Sequence, residues 1–413
     1  MRTVIIGAGA AGCFCAVELK RRMPSAEVIV LEAGQKPLAK VAVTGGGRCN
    51  LTNSFEGIGD ISHAYPRGTQ LMKRALRRFS QQDTWEWFER EGVSLVLQED
   101  HCVFPASQDA MDIVRTLERL MRREGVRLFC GHKVSSVEHR DREFVISFED
   151  GALSPIVCDC VVVTTGGSPK AGGISFLDPL GLEIEKPVPS LFTFNIDNRP
   201  LRTLMGAVVE NAVVSIPGTK FKAGGALLVT DWGLSGPAAL KLSSYAARFL
   251  ADNEYRSQVK ISWLGTMNES DILARLNAIS SSNNRKMVSS AYPEELSARI
   301  WEHLMGRASL REDIRWGEIG SKGIARLASV LAGDIYPISG RCHFKGEFVT
   351  CGGVALSNID INTLESKKHP GLLFAGEVLD VDAITGGFNL QAAWSMGFIA
   401  ASTICDSDGG GSY

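Results

Sequence analysis

The sequence predicts an α/β protein: a doubly wound parallel sheet interrupted by a β-rich insert that carries a small helical subdomain. Three observations lead there. Near the start, residues 3–12 read TVIIGAGAAG, an apolar run that turns at once into spaced glycines. Near the end, residues 371–391 read GLLFAGEVLDVDAITGGFNLQ, a second apolar run ending in glycines before an apolar stretch. Between them the texture changes near Pro187–Pro189, where short alternating runs replace the strand-and-helix pattern. One site assembled from both ends of a chain suits a long ligand lying across such a sheet.

Composition fits this size and class. A chain of 413 residues is long for a single core. Hydrophobic content of 45% and charged content of 22% are ordinary for a globular protein. A net charge of −2 argues for no nucleic-acid partner and no anionic membrane. No apolar run approaches the roughly 20 residues needed to span a bilayer, and glycines follow the apolar start where a cleavage site would be needed. A cytoplasmic location is expected, with a small-molecule substrate; oligomeric state is left open. Of ten cysteines no pair has CxxC spacing. Cys158 and Cys160 would face one side of a single strand, and buried thiols are favoured over a dithiol. No His/Cys cluster has zinc-ligand spacing, so no metal is expected.

Taken in order, residues 2–7 read as a buried parallel strand and 11–22 as a helix stopped near Pro24. Residues 27–31 form the next strand, which ends in Glu32. Residues 69–92 read as helical with Trp85 and Phe88 on one face, and 109–124 as a second amphipathic helix. Runs at 126–129, 133–137 and 144–148 suggest a β-ribbon, and 158–164 a buried strand closing on Gly166. Strands follow at 191–196, 207–216, 226–230 and 258–264, then polar helices across 269–333. Strand and glycine return at 349–355, and 389–401 reads as an apolar helix before a frayed tail at 407–413. The domains expected are a discontinuous FAD-binding domain (1–189 with 346–413), a β-rich insert (190–267), and a helical subdomain with its return (268–345).

The chemistry rests on three blocks. In the first, Gly7 permits a tight turn, Gly9 lets backbone approach a pyrophosphate, and Gly12 lets helix and strand pack closely. Residues Ala8, Ala10 and Ala11 complete the turn and the first helical N–H groups that meet phosphate. Glu32 and Ala33 follow, the acid standing 20 residues after Gly12, where a carboxylate bonds ribose hydroxyls. A glutamate there disfavours the 2′-phosphate of NADP, which leaves FAD or NAD. The second block is Lys40 with TGGGRCNLTN at 44–53. Gly46 and Gly47 give backbone freedom, Arg48 is a phosphate candidate, and Asn50 and Asn53 suit a ring edge or hold the loop. Cys49 is read either as a reactive thiol or, more simply, as a small space-filler beside the ring. The third block puts Gly376 and Glu377 at a strand's carboxyl end, where the acid meets ribityl hydroxyls. Asp380 and Asp382 stand nearby as loop acids. Gly387 precedes a helix whose first residues, Asn389, Leu390 and Gln391, would offer a positive dipole end to a reduced flavin. The reading is an FAD-dependent oxidoreductase.

At this point the chain resembles a known family, the BaiN-like NAD(P)/FAD-dependent flavoproteins, which include aminoacetone oxidase and a dehydro-bile-acid reductase. The resemblance lies in IGAGAAG (6–12), TGGGRCNLTN (44–53), VFPAS (103–107), GLSGPA (233–238), TCGGV (350–354) and AGEVLDVDAITGGFNLQ (375–391). It implies a two-dinucleotide-binding-type, Rossmann-like FAD domain with an inserted β-barrel-like subdomain and a small helical one. It implies as well that Val134 lies in the strand whose backbone meets adenine, and that Thr165 and Gly166 line the cofactor. The chain departs from the family twice. SPKAGGISFLDPLG (168–181) replaces a longer loop containing TGSTGDG, and Thr230-Asp231-Trp232 stands where a histidine is common.

Three readings of function follow. The leading one moves hydride between a small organic substrate and flavin N5, with NAD(P)H as a transient co-substrate or oxygen as the other partner. Asp231, His343 and Cys49 are candidates for catalysis by chemistry and neighbourhood alone. An FAD-dependent RNA-modifying enzyme is the weaker enzyme reading, because no basic stripe with interleaved aromatics appears and Arg74, Arg77 and Arg78 read as a solvated helix face. The non-enzyme reading is a flavin-binding sensor or partner-binding protein with the helical insert as its interaction surface; Trp301 and Trp316 are candidate anchors there, although core packing is the favoured use of both.

Overall fold

The apolar run at the start of the chain forms β1 (Arg2–Ile6), in which Val4 and Ile5 are fully buried. The structure is a computed structural model that describes residues 1–168, 171–342 and 349–409. After β1 come α1 (Ala10–Arg22), β2 (Glu27–Glu32), α2 (Ala39–Gly47), β3 (Thr52–Asn53), α3 (Thr69–Arg78) and α4 (Gln81–Arg90). Then follow β4 (Leu95–Leu97), β5 (Cys102–Pro105), α5 (Met111–Glu124), β6 (Arg127–Cys130), β7 (Val134–Arg140), β8 (Glu143–Phe148), β9 (Ile156–Cys158), β10 (Cys160–Val163) and β11 (Ile184–Ser190).

The single helix expected over 69–92 is two. Phe79 is extended, and Ser80 begins α4 with a capping box: its Oγ accepts from Asp83 N at 3.2 Å while Asp83 Oδ2 accepts from Ser80 N at 2.7 Å. That start turns Thr84, Trp87 and Phe88 inward and leaves Trp85 half-buried. Trp87 and Phe79 pack on Phe14 of α1 at 4.6 and 5.4 Å between ring centroids.

The ribbon expected from three runs is also divided differently. The chain leaves α5 and lays β6 parallel to β2, as a helical crossover does, so β6 joins the main sheet. Only β7, β8 and β9 form the antiparallel sheet. Cys158 and Cys160 therefore belong to different sheets. Asp159 separates them, its N–H donating to Arg2 O at 3.0 Å where β10 begins to pair with β1.

Two units divide the chain: Met1–Val188 with the residues from Val349 onward, and Pro189–Phe348. The second contains β12 (Phe194–Ile196), α6 (Arg199–Arg202), β13 (Val208–Ser215), β14 (Lys222–Val229), β15 (Gly233–Ser235), α7 (Gly236–Tyr245), α8 (Ala247–Asp252) and β16 (Ser257–Ser262). It continues through α9 (Glu269–Ser282), α10 (Ala298–Arg307), α11 (Gly320–Gly333) and β17 (Asp334–Arg341). Its strands close into a barrel of order β12-β15-β14-β13-β16-β17, which removes free edges. The barrel and the helices share one hydrophobic core, and β17 reaches the barrel only after the helices have been made. Trp301 and Trp316 are buried in that core, donating to Val288 O at 2.8 Å and Ala291 O at 2.9 Å. They are core residues and not interface anchors.

A buried polar knot ties α10 to β17. Asp334 accepts from Arg307 Nε at 2.9 Å, from the Tyr336 hydroxyl at 2.5 Å and from Trp263 Nε1 at 3.3 Å. With the Tyr336 proton given to Asp334, His303 Nε2–H donates to the Tyr336 oxygen across 2.8 Å. Burial lowers the His303 pKa, with Arg307 acting in the same direction against Asp334. As pH falls, the unfolded chain therefore takes up this proton before the folded one. The His303 contribution is complete above its unfolded pKa of about 6.5 and is lost as pH falls below it. Melting temperatures measured from pH 8 to 5 should fall more steeply for the wild type than for His303→Gln. Parallel curves would exclude the effect.

Back in the first unit, β18 (Val349–Val354) pairs with β11, and β19 (Leu372–Phe374) joins β10 at the edge of the main sheet. The parallel order is β19-β10-β1-β2-β6. α12 (Phe388–Gly409) packs against α1 so closely that a Cβ on Gly397 would stand 2.8 Å from Ala11 O. The helix runs through residues 407–409, which were expected to be frayed; residues 410–413 lie outside the described part.

Candidate flavin site

The first block folds as its spacing demands. Gly7 has φ +108°, and a Cβ there would lie 2.6 Å from Thr164 O. At Gly12 a Cβ would lie 2.1 Å from Gly7 O, so the helix can approach the turn only without one. Around Gly9 there is space: nothing stands closer than 4.0 Å to its Cβ position. Gly9 begins α1 with no side-chain cap, which leaves the helix's first N–H groups open beside Ala10 and Ala11. Ala8 is buried, and its carbonyl accepts from Leu38 N at 2.8 Å.

Glu32 grips this turn. Its Oε2 accepts from Ala8 N at 2.9 Å and its Oε1 from Gly34 N at 2.7 Å. One lone pair on each oxygen remains for a diol, so the carboxylate shapes the loop and still faces outward past the exposed Ala33. Beside it, His132 N donates to Glu32 O at 2.8 Å, and that bond brings the start of β7, with Val134, to the carboxyl end of β2.

The glycine run of the second block breaks α2 from inside. Thr44 is extended, and Gly45, Gly46 and Gly47 take φ of +58°, +69° and +85°. Among the described residues, Cβ atoms on Gly46 or Gly47 would meet nothing within 4 Å. These left-handed residues leave the loop backbone bare on its outer side. Arg48, exposed, donates to Gly45 O at 3.2 Å and lies 4.5 Å over the Phe104 ring. Cys49 is fully buried with φ +62°, and burial pushes its thiol up to about 12, so it is neutral at physiological pH. Such an environment suits a small space-filling side chain better than a reactive thiolate. In the native protein at pH 8, Cys49 should resist alkylation by iodoacetamide and react after unfolding; rapid native labelling, read by mass spectrometry, would overturn this.

The third block meets the second directly. With its amide turned to satisfy both ends, Asn50 donates to Thr52 O at 3.0 Å and accepts from Gly387 N at 3.3 Å. Asn53 Nδ2 donates to Gly386 O at 3.0 Å. Glu377 Oε1 accepts from Thr350 N at 2.7 Å, and Glu377 Oε2 stands 4.0 Å from Lys40 Nζ, beside Gly166. Gly376, at φ +83°, brings this strand end within reach of Ala11. Asp380 accepts from Gly352 N at 3.1 Å, and Asp382 forms a buried, two-pronged ion pair with Arg67. Burial disfavours the Arg67 charge, but its bonds to Asp382 outweigh that and hold it above its ordinary pKa.

Two assigned side chains are taken up by the protein itself. Asn389 clamps the preceding loop, accepting from Ala383 N at 2.9 Å and donating to Ala383 O at 3.1 Å. Gln391 is completely buried; its Oε1 accepts from Thr52 Oγ1 at 2.6 Å and its Nε2 donates to Ser395 Oγ at 2.9 Å. What they present to a ligand is the amino end of α12, with the half-buried Leu390 between them. Of the catalytic candidates, Asp231 sits in an exposed turn between β14 and β15, and His343 lies outside the described residues.

Two residues of the cradle were not singled out from sequence. Thr164 donates to Gly7 O at 2.8 Å, locking the turn one residue before Thr165 and Gly166. Leu38 adopts φ +57° to reach Ala8 O. The double threonine that ends the valine run was the available signal for the first, and nothing marked the second.

A parallel sheet, an open helix amino end at its switch point, a diol-facing acid and a second glycine cradle define the class: an FAD-dependent oxidoreductase. The chain belongs to the HI0933-like protein Rossmann domain family, which it matches over residues 1–403. It is 26% identical to a 3-dehydro-bile acid delta(4,6)-reductase of Clostridium scindens over 98% of this chain and 99% of that one. It is 28% identical to a ribosomal RNA dihydrouridine synthase of Escherichia coli K12, covering 97% of each chain. Among solved structures, a 3-ketosteroid delta1-dehydrogenase from Sterolibacterium denitrificans superposes with TM-score 0.52 at 12% identity, covering 98% of this chain and 99% of that one, a likeness of fold.

Proposed function

We propose that the protein is an FAD-dependent reductase that saturates a carbon–carbon double bond conjugated to a carbonyl, with NAD(P)H as the reductant. The observation that carries this reading is that two full-length relatives with unlike substrates have names that describe one reaction. A delta(4,6)-reductase and a dihydrouridine synthase each saturate such a bond. The β-carbon takes hydride, the α-carbon takes a proton, and bound FAD supplies the two electrons.

The chain's own residues bind and orient. The open N–H groups of α1 take the pyrophosphate, Glu32 the ribose, and Glu377 with Lys40 the ribityl side. The amino end of α12 favours negative charge on the flavin's pyrimidine edge. Glu32 argues for a dinucleotide without a 2′-phosphate at this first site, which fits FAD as the resident group.

The test is an anaerobic titration of the FAD-loaded protein. NADH or NADPH should bleach the absorbance near roughly 450 nm that flavins show. A 4,6-unsaturated 3-ketosteroid or a uridine-containing RNA should then restore it without oxygen. Flavin that is bleached only by an amine and recovers only with oxygen would make the protein an oxidase. Flavin that no small donor reduces would favour the sensor reading.

A further inference from the structure

Between α5 and the turn that leads from α4 into β4 lies a cleft of about 450 Å³, within the size range of small-ligand sites. Asp112, Arg115, Thr116 and Arg119 line it from α5, at the spacing of one helix face, with Ser94 and Ser107 from the flanking segments. Arg119 Nη2 donates to Glu91 O at 2.8 Å, which holds its guanidinium in place without neutralising it. Arg115 Nη1 stands 3.9 Å from both Asp109 and Asp112, near enough to balance charge and too far for a hydrogen bond. The cleft starts beside the flavin cradle. Gln108, next to Ser107, faces Arg48 Nη1 at 3.5 Å, and Ala110 N donates to Gly47 O at 2.8 Å. From Ala110 to Arg119 is roughly 13 Å along α5. We propose that this cleft docks the ADP-ribose half of NADH, with the nicotinamide half directed along α5 toward the glycine loop.

Two arguments select that occupant. Guanidinium forks match phosphate oxygens, and an acid in the same cleft matches a ribose diol. A bare phosphate would meet only repulsion from Asp112, whereas a dinucleotide uses both signs of charge. The same acid disfavours the 2′-phosphate of NADPH, so the cleft selects NADH. The second argument is that the chain has no other nucleotide cradle to offer. The pattern G-x-G-x-x-G occurs once in the sequence, at Gly7, Gly9 and Gly12, and that turn is taken by FAD. A nicotinamide donor therefore needs a site of another construction, within reach of the first.

The proposal rests on the reductase reading for NADH as the reductant, but its test needs no turnover. Full-length, FAD-loaded protein, whose first dinucleotide site is filled, is titrated calorimetrically with ADP-ribose and with ADP-ribose 2′-phosphate. The wild type should bind ADP-ribose with a Kd of about 1 mM or tighter, and should prefer it to the 2′-phosphate. Arg115→Ala/Arg119→Ala should weaken ADP-ribose binding about tenfold or more, for two lost charge-assisted contacts. Asp112→Asn should narrow the preference against the 2′-phosphate, a change in selectivity that a purely structural carboxylate would not produce. Arg285→Ala, on an exposed arginine of the other unit, should change nothing, and all four proteins should keep flavin and melt alike. No binding by the wild type, equal binding by the double variant, an equal loss with Arg285→Ala, or an unaltered preference in Asp112→Asn would each overturn it. Arginine-dependent ADP-ribose binding beside a flavin that no nicotinamide nucleotide reduces would sink the reductase reading and leave the cleft standing. Flavin bleached by limiting NADH equally fast in wild type and double variant would sink the cleft and leave that reading.

Discussion

Gly12→Ala is expected to yield protein without flavin and to lower stability by about 3 kcal/mol, the upper range for forcing a methyl into a packed site. The added Cβ would stand 2.1 Å from Gly7 O and 2.5 Å from Thr164 Oγ1. Neither neighbour can move freely, because Thr164 Oγ1 holds both the Gly7 and Ile6 carbonyls. Relief requires α1 to back away from β1, which withdraws the helix amino end from the phosphates. Gly46→Ala is the comparison that gives this meaning. Its Cβ meets no atom of the described residues within 4 Å, so it should fold with only the roughly 1 kcal/mol strain of a left-handed residue. FAD affinity should still fall, since the methyl points into the cradle. The ratio of flavin to protein absorbance after purification, with melting curves, reads both effects. Full flavin occupancy in Gly12→Ala would refute the packing argument.

The second large effect is at Arg67 and Asp382. The carboxylate is completely buried and the guanidinium nearly so. Removing one partner strands the other charge, a change that costs about 3–5 kcal/mol. Arg67→Ala and Asp382→Ala should each lower the melting temperature by on the order of 10 °C. The double replacement Arg67→Met/Asp382→Leu should recover most of that loss, because it leaves no stranded charge. If the double variant is as unstable as the sum of the single ones, the pair contributes more than mutual neutralisation. Since Asp382 lies in the loop that Asn389 clamps, the single variants should also lose flavin more readily during dialysis.

The sequence showed most where backbone geometry is dictated by residue type. Gly7 and Gly12, and the run at Gly46 and Gly47, could be read because so few backbones require a missing Cβ or a positive φ. Element identity was harder where partner choice decides it. The run that became β6 looks the same whether it joins a hairpin or crosses over to β2. The break between α3 and α4 was written in Ser80 and Asp83 but was outweighed by the apolar periodicity around it. Side-chain roles were the least legible. Asn389 and Gln391 sit at the site by position, yet their amides are spent on Ala383, Thr52 and Ser395, partners that adjoin them only after folding. The stacking of Arg48 on Phe104 was equally hidden, since the two meet only in the fold.

The sheet order places β19, encoded near residue 373, one strand away from β1, with only β10 between them. During synthesis, the glycine turn and Glu32 emerge early and then wait. The barrel unit can close in the meantime, since all six of its strands precede residue 342. The main sheet has no outer strand over β10, and the cradle has no α12, until residues 372–409 have left the ribosome. Flavin capture is thus postponed to the end of translation. An arrested nascent chain lacking those residues would carry a finished barrel and a sheet with an open edge, which makes the interval before residues 372–409 emerge the protein's window of exposure to aggregation and proteolysis.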